Sequence, residues 1–178
     1  MAILRFAYFL GIACVFSISA YGQEEETSSY HRLSLAMSHA HIPSGVKGDS
    51  KKWLALPAFS FDYDYWLNRK WALGLHTDVI LENFLVKSSG DKEIERTKPV
   101  ALAAVAIFKP GEHLSFLFGS GVEIAEEGSL FLIRFGGEYG WEINERWELG
   151  LSLMYDAKWD SYDTWVLGLG VSRILGKE

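Results

Sequence analysis

The sequence predicts an all-β fold: an eight-stranded antiparallel up-and-down transmembrane β-barrel with a polar, side-chain-filled interior. Three observations carry this. Beyond residue 29, large apolar and aromatic side chains take every second position while small or charged ones fill the gaps, as in Trp147-Glu148-Leu149-Gly150-Leu151-Ser152-Leu153-Met154-Tyr155-Asp156. Period two gives a strand two chemically different faces. Tight turns then alternate with mostly longer polar connections. Finally, aromatic residues gather at both ends of the alternating segments, where a bilayer would place its interfaces.

The chain opens with a different pattern. Arg5 precedes an apolar run from Phe6 to Ile18, and Ala20-Tyr21-Gly22 supplies the small residues a signal peptidase prefers. Residues 1–22 therefore read as a cleaved signal peptide with Gln23 as the new terminus, the run being too short for the roughly 20 residues of a spanning helix. Acylation at Cys14 is the alternative, but Gly11 stands where leucine is usual and the apolar run continues past the cysteine. Cys14 is the only cysteine, so cleavage leaves no disulfide, thiol nucleophile or cysteine–metal site. Residues 23–29 form a short polar tail, periplasmic in this topology, and 30–178 form the barrel. The formal charge is −6, with no basic cluster, which argues against nucleic-acid binding.

Eight segments follow, at about 30–42, 52–67, 71–86, 98–109, 113–126, 129–143, 147–159 and 162–174, each long enough to cross a bilayer at a tilt. In the first, Leu33, Leu35, Met37, His39 and His41 share one face. The second reads Phe59-Ser60-Phe61-Asp62-Tyr63-Asp64-Tyr65-Trp66; Leu54 and Leu56 are out of phase with it, and a bulge at Pro57 would restore the phase. In the third, Trp71, Leu73, Leu75, Val79 and Leu81 oppose Ala72, Gly74, His76, Asp78 and Glu82. The fourth, Val100-Ala101-Leu102-Ala103-Ala104-Val105-Ala106-Ile107, is apolar on both faces, with its small alanines expected inside. The fifth carries Glu123. In the sixth, Phe131, Ile133, Phe135, Tyr139 and Trp141 oppose Arg134, Gly136, Glu138 and Glu142. The seventh sets Trp147, Leu149, Leu151, Leu153 and Tyr155 against Gly150, Ser152, Asp156 and Lys158, and the eighth sets Trp165, Leu167, Leu169 and Val171 against Gly168, Gly170 and Ser172.

Asn68-Arg69-Lys70, Lys109-Pro110-Gly111-Glu112 and Asn144-Glu145-Arg146 make tight turns on one side, while polar loops at about 43–51 and 87–97 lie on the other. One expected aromatic girdle, at the turns, holds Tyr65, Trp66, Trp71, Phe108, Trp141 and Trp147; the second holds Trp53, Phe84, Trp159, Tyr162 and Trp165.

Volume decides which face is inside. An eight-stranded barrel has a lumen just wide enough for ordinary side chains, so the large residues go outside and need lipid around them. The inward set is then a polar network: Asp62, Asp64, His76, Asp78, Glu82, Glu123, Arg134, Glu138, Glu142, Asp156 and Lys158. Turn register places Asp62 opposite His76 and Arg134 opposite Asp156, pairings that burial of charge requires. Carboxylates outnumber cations in this set, which implies trapped water, protonated carboxyls or a bound cation. A structural plug is the first reading; a proton or cation path is the second.

The segments 59–66, 131–136 and 166–171 resemble those of small eight-stranded outer-membrane β-barrels, the architecture of the OmpA membrane domain and OmpX, over the whole chain after the signal. The resemblance implies location in the outer membrane of a diderm bacterium, turns facing the periplasm, outer-membrane lipid as partner and delivery by the barrel-insertion machinery. The chain departs from it by ending Ile174-Leu175-Gly176-Lys177-Glu178 rather than on an aromatic residue.

Candidate chemistry is sparse. His39 and His41 point to one face, as metal ligands would, but they project outward and lack an identifiable third ligand. Ser38 neighbours His39 but faces the opposite side, so no nucleophile–base pair forms there. No histidine follows His113, which removes the resemblance to barrel lipid A deacylases, and no phosphate loop or dinucleotide fingerprint points to a cofactor. The function expected is structural or surface-interacting, in a monomer without catalysis. Lys47, Lys51, Lys52, Lys87 and Lys92, in or beside the two loops, are candidates to meet lipopolysaccharide phosphates. The alternatives are an outer-membrane lipid-modifying enzyme and a secreted lipocalin-like carrier with an apolar cavity.

Overall fold

The computed structural model describes residues 29–47, 50–87, 93–159 and 161–176. The signal peptide and all but the last residue of the tail lie outside them. Ten strands form: β1 (Tyr30–Lys47), β2 (Ser50–Trp66), β3 (Trp71–Ile80), β4 (Phe84–Lys87), β5 (Glu93–Arg96), β6 (Val100–Phe108), β7 (Leu114–Ala125), β8 (Gly128–Asn144), β9 (Trp147–Lys158) and β10 (Thr164–Leu175). Eight of them close a barrel in the order β1-β2-β3-β6-β7-β8-β9-β10, each pairing antiparallel with its neighbour. β10 returns to β1 through an unbroken ladder from His31↔Leu175 to His41↔Trp165. Closure removes every free edge in this wall, which lipid demands, because no water is there to satisfy an orphaned N–H or C=O.

Two of the tight turns use one device. Asn68 Oδ1 accepts hydrogen bonds from the Lys70 and Trp71 amides at 2.8 and 2.9 Å. Asn144 Oδ1 does the same for Arg146 and Trp147 at 2.9 and 3.1 Å. A short side-chain acceptor completes the turn without a third strand partner.

The remaining strands, β4 and β5, form a hairpin that continues the sheet on the loop side by pairing β4 with the extension of β1, Gly45↔Val86 and Val46↔Leu85. This corrects two expectations. The strand expected over 71–86 stops at Ile80, because Phe84 and Val86 turn into the barrel mouth and are buried there. Of the loop expected at 43–51, the described residues instead continue the β1–β2 hairpin, with a register shift between Ile42 and Gly45. No bulge occurs at Pro57, which pairs in register with His39. Leu54 and Leu56 are out of phase because they face inward, where the loop-side end of the lumen is apolar.

Alternation sorts the remaining side chains as expected on β3, β8, β9 and β10. The outer face carries a continuous apolar band; Phe118 is 63% exposed, Leu169 55% and Ile143 62%. That much exposed hydrocarbon would drive aggregation in water and is stable only against lipid. On β6 the alanines split: Ala101 and Ala103 face in beside Val105 and Ile107, whereas Ala104 and Ala106 face out. The girdles also need correction. Trp71, Phe108, Trp141, Trp147, Trp53 and Trp159 are exposed, but Trp66, Phe84 and Tyr162 are buried in the interior. Each of these three has an inner role at one end of the lumen that parity at a strand terminus could not reveal.

Candidate functional site

The interior is built in three tiers. At the turn side, Arg32 of β1 donates from Nε to Asp64 Oδ2 at 2.9 Å and from Nη2 to Glu138 Oε2 at 2.6 Å. Glu148 lies 3.7 Å from Arg32 and 4.0 Å from Lys109. Trp66 underlies both cations, 5.6 Å from the guanidinium and 5.8 Å from the ammonium, and stacks on Tyr30 at 5.6 Å. Asp64 also meets His76 Nε2 at 3.0 Å. Gly74 permits that contact, because a Cβ there would collide with Asp64 Oδ1.

The middle tier centres on Arg134 of β8, which is 1% exposed. Its Nε and Nη2 donate to the two oxygens of Asp156 at 2.7 Å each, the bidentate geometry that a planar guanidinium favours. Its Nη2 also meets Asp78. Ser60 donates to Asp78 and exchanges a 2.7 Å hydrogen bond with Ser38.

At the loop side, Glu123 is a hub. Its Oε1 accepts from Arg96 Nε and Nη2 at 3.0 and 2.7 Å and from the Tyr162 hydroxyl at 2.6 Å; Lys158 Nζ lies 3.1 Å from Oε2. Lys158 also donates to Thr164 at 2.6 Å and sits 4.3 Å above the Tyr162 ring. Around this polar knot, Ile42, Ile80, Phe84, Val86 and Leu132 form an apolar cap. The β4–β5 hairpin is latched over it twice. Arg96 Nη1 donates to the Gly128 carbonyl at 3.0 Å, and Thr97 donates to Glu127 from its hydroxyl at 2.6 Å and its amide at 3.1 Å. These donors hold the exposed Glu127 carboxyl below its ordinary range.

Among the described residues the loop-side end of the lumen is filled, and a cavity lies toward the turns. A cavity of about 40 Å³ runs between the charged cluster of Arg32, Asp62 and Glu138 and a facing wall that includes Ser152, Ser172 and Gly150. A Cβ on Gly150 would touch nothing, so this wall is set back from the charges.

Most of the inward set expected from parity is placed where expected. Asp62 is opposite His76 and Arg134 opposite Asp156. Asp64, Asp78, Glu123, Glu138 and Lys158 also face in. Glu82 does not, because β3 ends before it and it stands exposed in the bend that follows. Glu142 keeps inward parity but lies beyond the turn-side rim and is exposed. The expected surplus of carboxylates is smaller than the strand pattern implied, because Arg32, Arg96 and Lys109 supply cations, while Glu148 adds one carboxylate. Alternation with Ser34 and Ala36 could have identified Arg32; nothing local marks Arg96, which reaches the lumen from a loop hairpin.

His39 and His41 lie on the outer face with ring centroids 6.5 Å apart, and His41 Nδ1 accepts from Trp53 Nε1 at 3.3 Å. Ser38 faces inward, away from His39. Of the loop lysines, Lys52 is exposed and Lys87 half-buried; Lys92 lies outside the described residues.

No protein-family model and no curated protein matches the chain. Solved structures do. The chain is similar to Ail, the attachment invasion locus protein of Yersinia pestis, in complex with the heparin analogue sucrose octasulfate: TM-score 0.59 at 16% identity, over 83% of this chain and 99% of that one. It is also similar to the outer membrane protein OprG of Pseudomonas aeruginosa, with TM-score 0.58 at 12% identity over 85% and 98% of the two chains. At such identities the likeness is one of architecture: the chain has the fold of the small eight-stranded outer-membrane β-barrels.

Proposed function

We propose that this chain is an integral protein of the bacterial outer membrane, exported by cleavage of residues 1–22, and that it acts as a structural or surface-contact barrel rather than a solute pore or an enzyme. The observation that carries this reading is the interior. Three tiers of paired charge fill the interior and an apolar cap surrounds the loop-side tier, while the outer face is apolar. An apolar carrier would show the reverse arrangement. The turn side faces the periplasm, and the long β1–β2 and β4–β5 hairpins stand at the cell surface. There the loop lysines, with Lys52 exposed, meet lipopolysaccharide phosphates. The similar barrel Ail has been crystallised with the heparin analogue sucrose octasulfate, which supports a role in meeting anionic saccharides.

Three measurements test the reading. The mature protein should begin at Gln23, require detergent for extraction and shift in gel mobility after boiling. In planar bilayers it should show no steady conductance; a stable open channel would refute the plugged interior. Replacing Lys47, Lys51, Lys52, Lys87 and Lys92 with glutamine should weaken lipopolysaccharide binding, and unchanged binding would remove that part of the proposal.

A further inference from the structure

The turn-side cavity ends on an arrangement that a structural plug does not need. His76 is 1% exposed, and its two ring nitrogens face different partners. Nε2 is 3.0 Å from Asp64 Oδ1, and Asp64 is itself fixed through its other oxygen by Arg32. Nδ1 is 3.7 Å from Asp62 Oδ1, beyond hydrogen-bond reach. With Nε2 turned to Asp64, the other ring nitrogen, Nδ1, is turned toward the carboxylate of Asp62. Glu138 completes the group: one ligand atom each from Asp62, His76 and Glu138 lies within 4.8 Å of the others.

From this geometry we infer that Asp62, His76 and Glu138 form a binding site for one divalent transition-metal ion, with Asp64 as the positioning residue that orients the imidazole. A carboxylate behind a ligating histidine fixes its tautomer and raises its basicity. In a tetrahedral site with bonds of about 2.1 Å the ligand atoms stand about 3.4 Å apart, so the 3.7 Å gap must close by a few tenths of an ångström and Glu138 must draw in by up to about 1.4 Å. Glu138 can bind through Oε1 while Oε2 keeps Arg32. One imidazole and two carboxylates suit a borderline ion such as zinc better than calcium, which takes six or more oxygens.

Charge is an independent argument. In the turn-side tier, the carboxylates of Asp62, Asp64, Glu138 and Glu148 outnumber their ion-pair partners among the described residues, Arg32, Lys109 and His76. A cation bound between Asp62 and Glu138 relieves that surplus of negative charge. The loop-side tier needs none, since Glu123 there already faces both Arg96 and Lys158. The ion has a route as well, because Asp62 and Glu138 line the cavity.

The site depends on the closed lumen, not on the membrane assignment or the loop lysines. The test uses untagged, full-length mature protein in detergent, stripped with chelator and titrated with Zn²⁺ by calorimetry and with Co²⁺ by visible absorption. One equivalent should bind, and zinc should displace cobalt. Asp62→Asn and Glu138→Gln should each weaken binding at least tenfold, and Asp64→Asn by about 10- to 100-fold. His39→Ala with His41→Ala should leave binding unchanged. No stoichiometric binding, or binding lost with His39 and His41 but kept in Asp62→Asn, overturns the inference. Should the lumen variants fail to fold, X-ray absorption of the unmodified zinc adduct decides it. One imidazole among oxygen ligands supports the site, and two imidazoles place the ion on the outer histidines instead.

Discussion

Replacing Arg134 by methionine tests whether the lumen behaves as a dry interior. The guanidinium is 1% exposed and grips both oxygens of Asp156 at 2.7 Å while also meeting Asp78. Methionine fills part of the volume but leaves two buried carboxylates without their cation; among the described residues Asp78 keeps the hydroxyl of Ser60. Breaking a buried pair by removing one partner costs about 3–5 kcal/mol, or roughly two to four powers of ten in the folding constant. Adding Asp78→Asn and Asp156→Asn removes the stranded charges, so the triple variant should lose less than about 2 kcal/mol, because the penalty lies in the unpaired charge rather than in the missing contact. Reversible urea unfolding in lipid vesicles, followed by tryptophan fluorescence at mildly alkaline pH, measures both. A single variant that loses under about 1 kcal/mol, the level of a solvated pair, would refute the argument. So would a triple variant as unstable as the single one.

Other perturbations separate the faces and the ends. Leu151→Arg places a charge on the outward apolar band and should destabilise the barrel by about 2–4 kcal/mol in the same vesicle assay; a neutral result would mean that face does not meet the hydrocarbon. Arg96→Gln should release the β4–β5 hairpin from Glu123, with loop-side proteolysis on the order of tenfold faster while the barrel core stays protected. For Glu127, whose folded value is depressed, the Thr97 tether contributes above the ordinary carboxylate value of 4.5 and is lost as pH falls through the lowered one. A side-chain NMR titration with a midpoint at or above 4.5 would contradict this.

The barrel wall was legible because its two determinants are local. Period-two alternation set the faces, and turn residues set the register closely enough to pair Asp62 with His76 and Arg134 with Asp156. Alternation failed where the lumen changes character. At the loop side the interior is apolar, so Leu54 and Leu56 looked like a phase error when they were inward residues of a cap. Phe84, Val86 and Arg96 reach that cap through a hairpin whose fold depends on the β1 extension and Glu123, partners distant in sequence. The same ambiguity affected strand ends: Trp66 turned inward where a girdle residue would face lipid, and Glu142 passed the rim and met water. The metal-binding geometry depends on which way the His76 ring is turned, a fact fixed by Asp64 and Gly74 together and invisible to spacing alone.

A tube stoppered at one end is a cul-de-sac. On the proposed reading, whatever enters this molecule's axis comes from the compartment at the turns and leaves the same way. Its contents would then equilibrate with a single reservoir, and the chemistry of that reservoir, not the gradient across the bilayer, would decide what the interior holds.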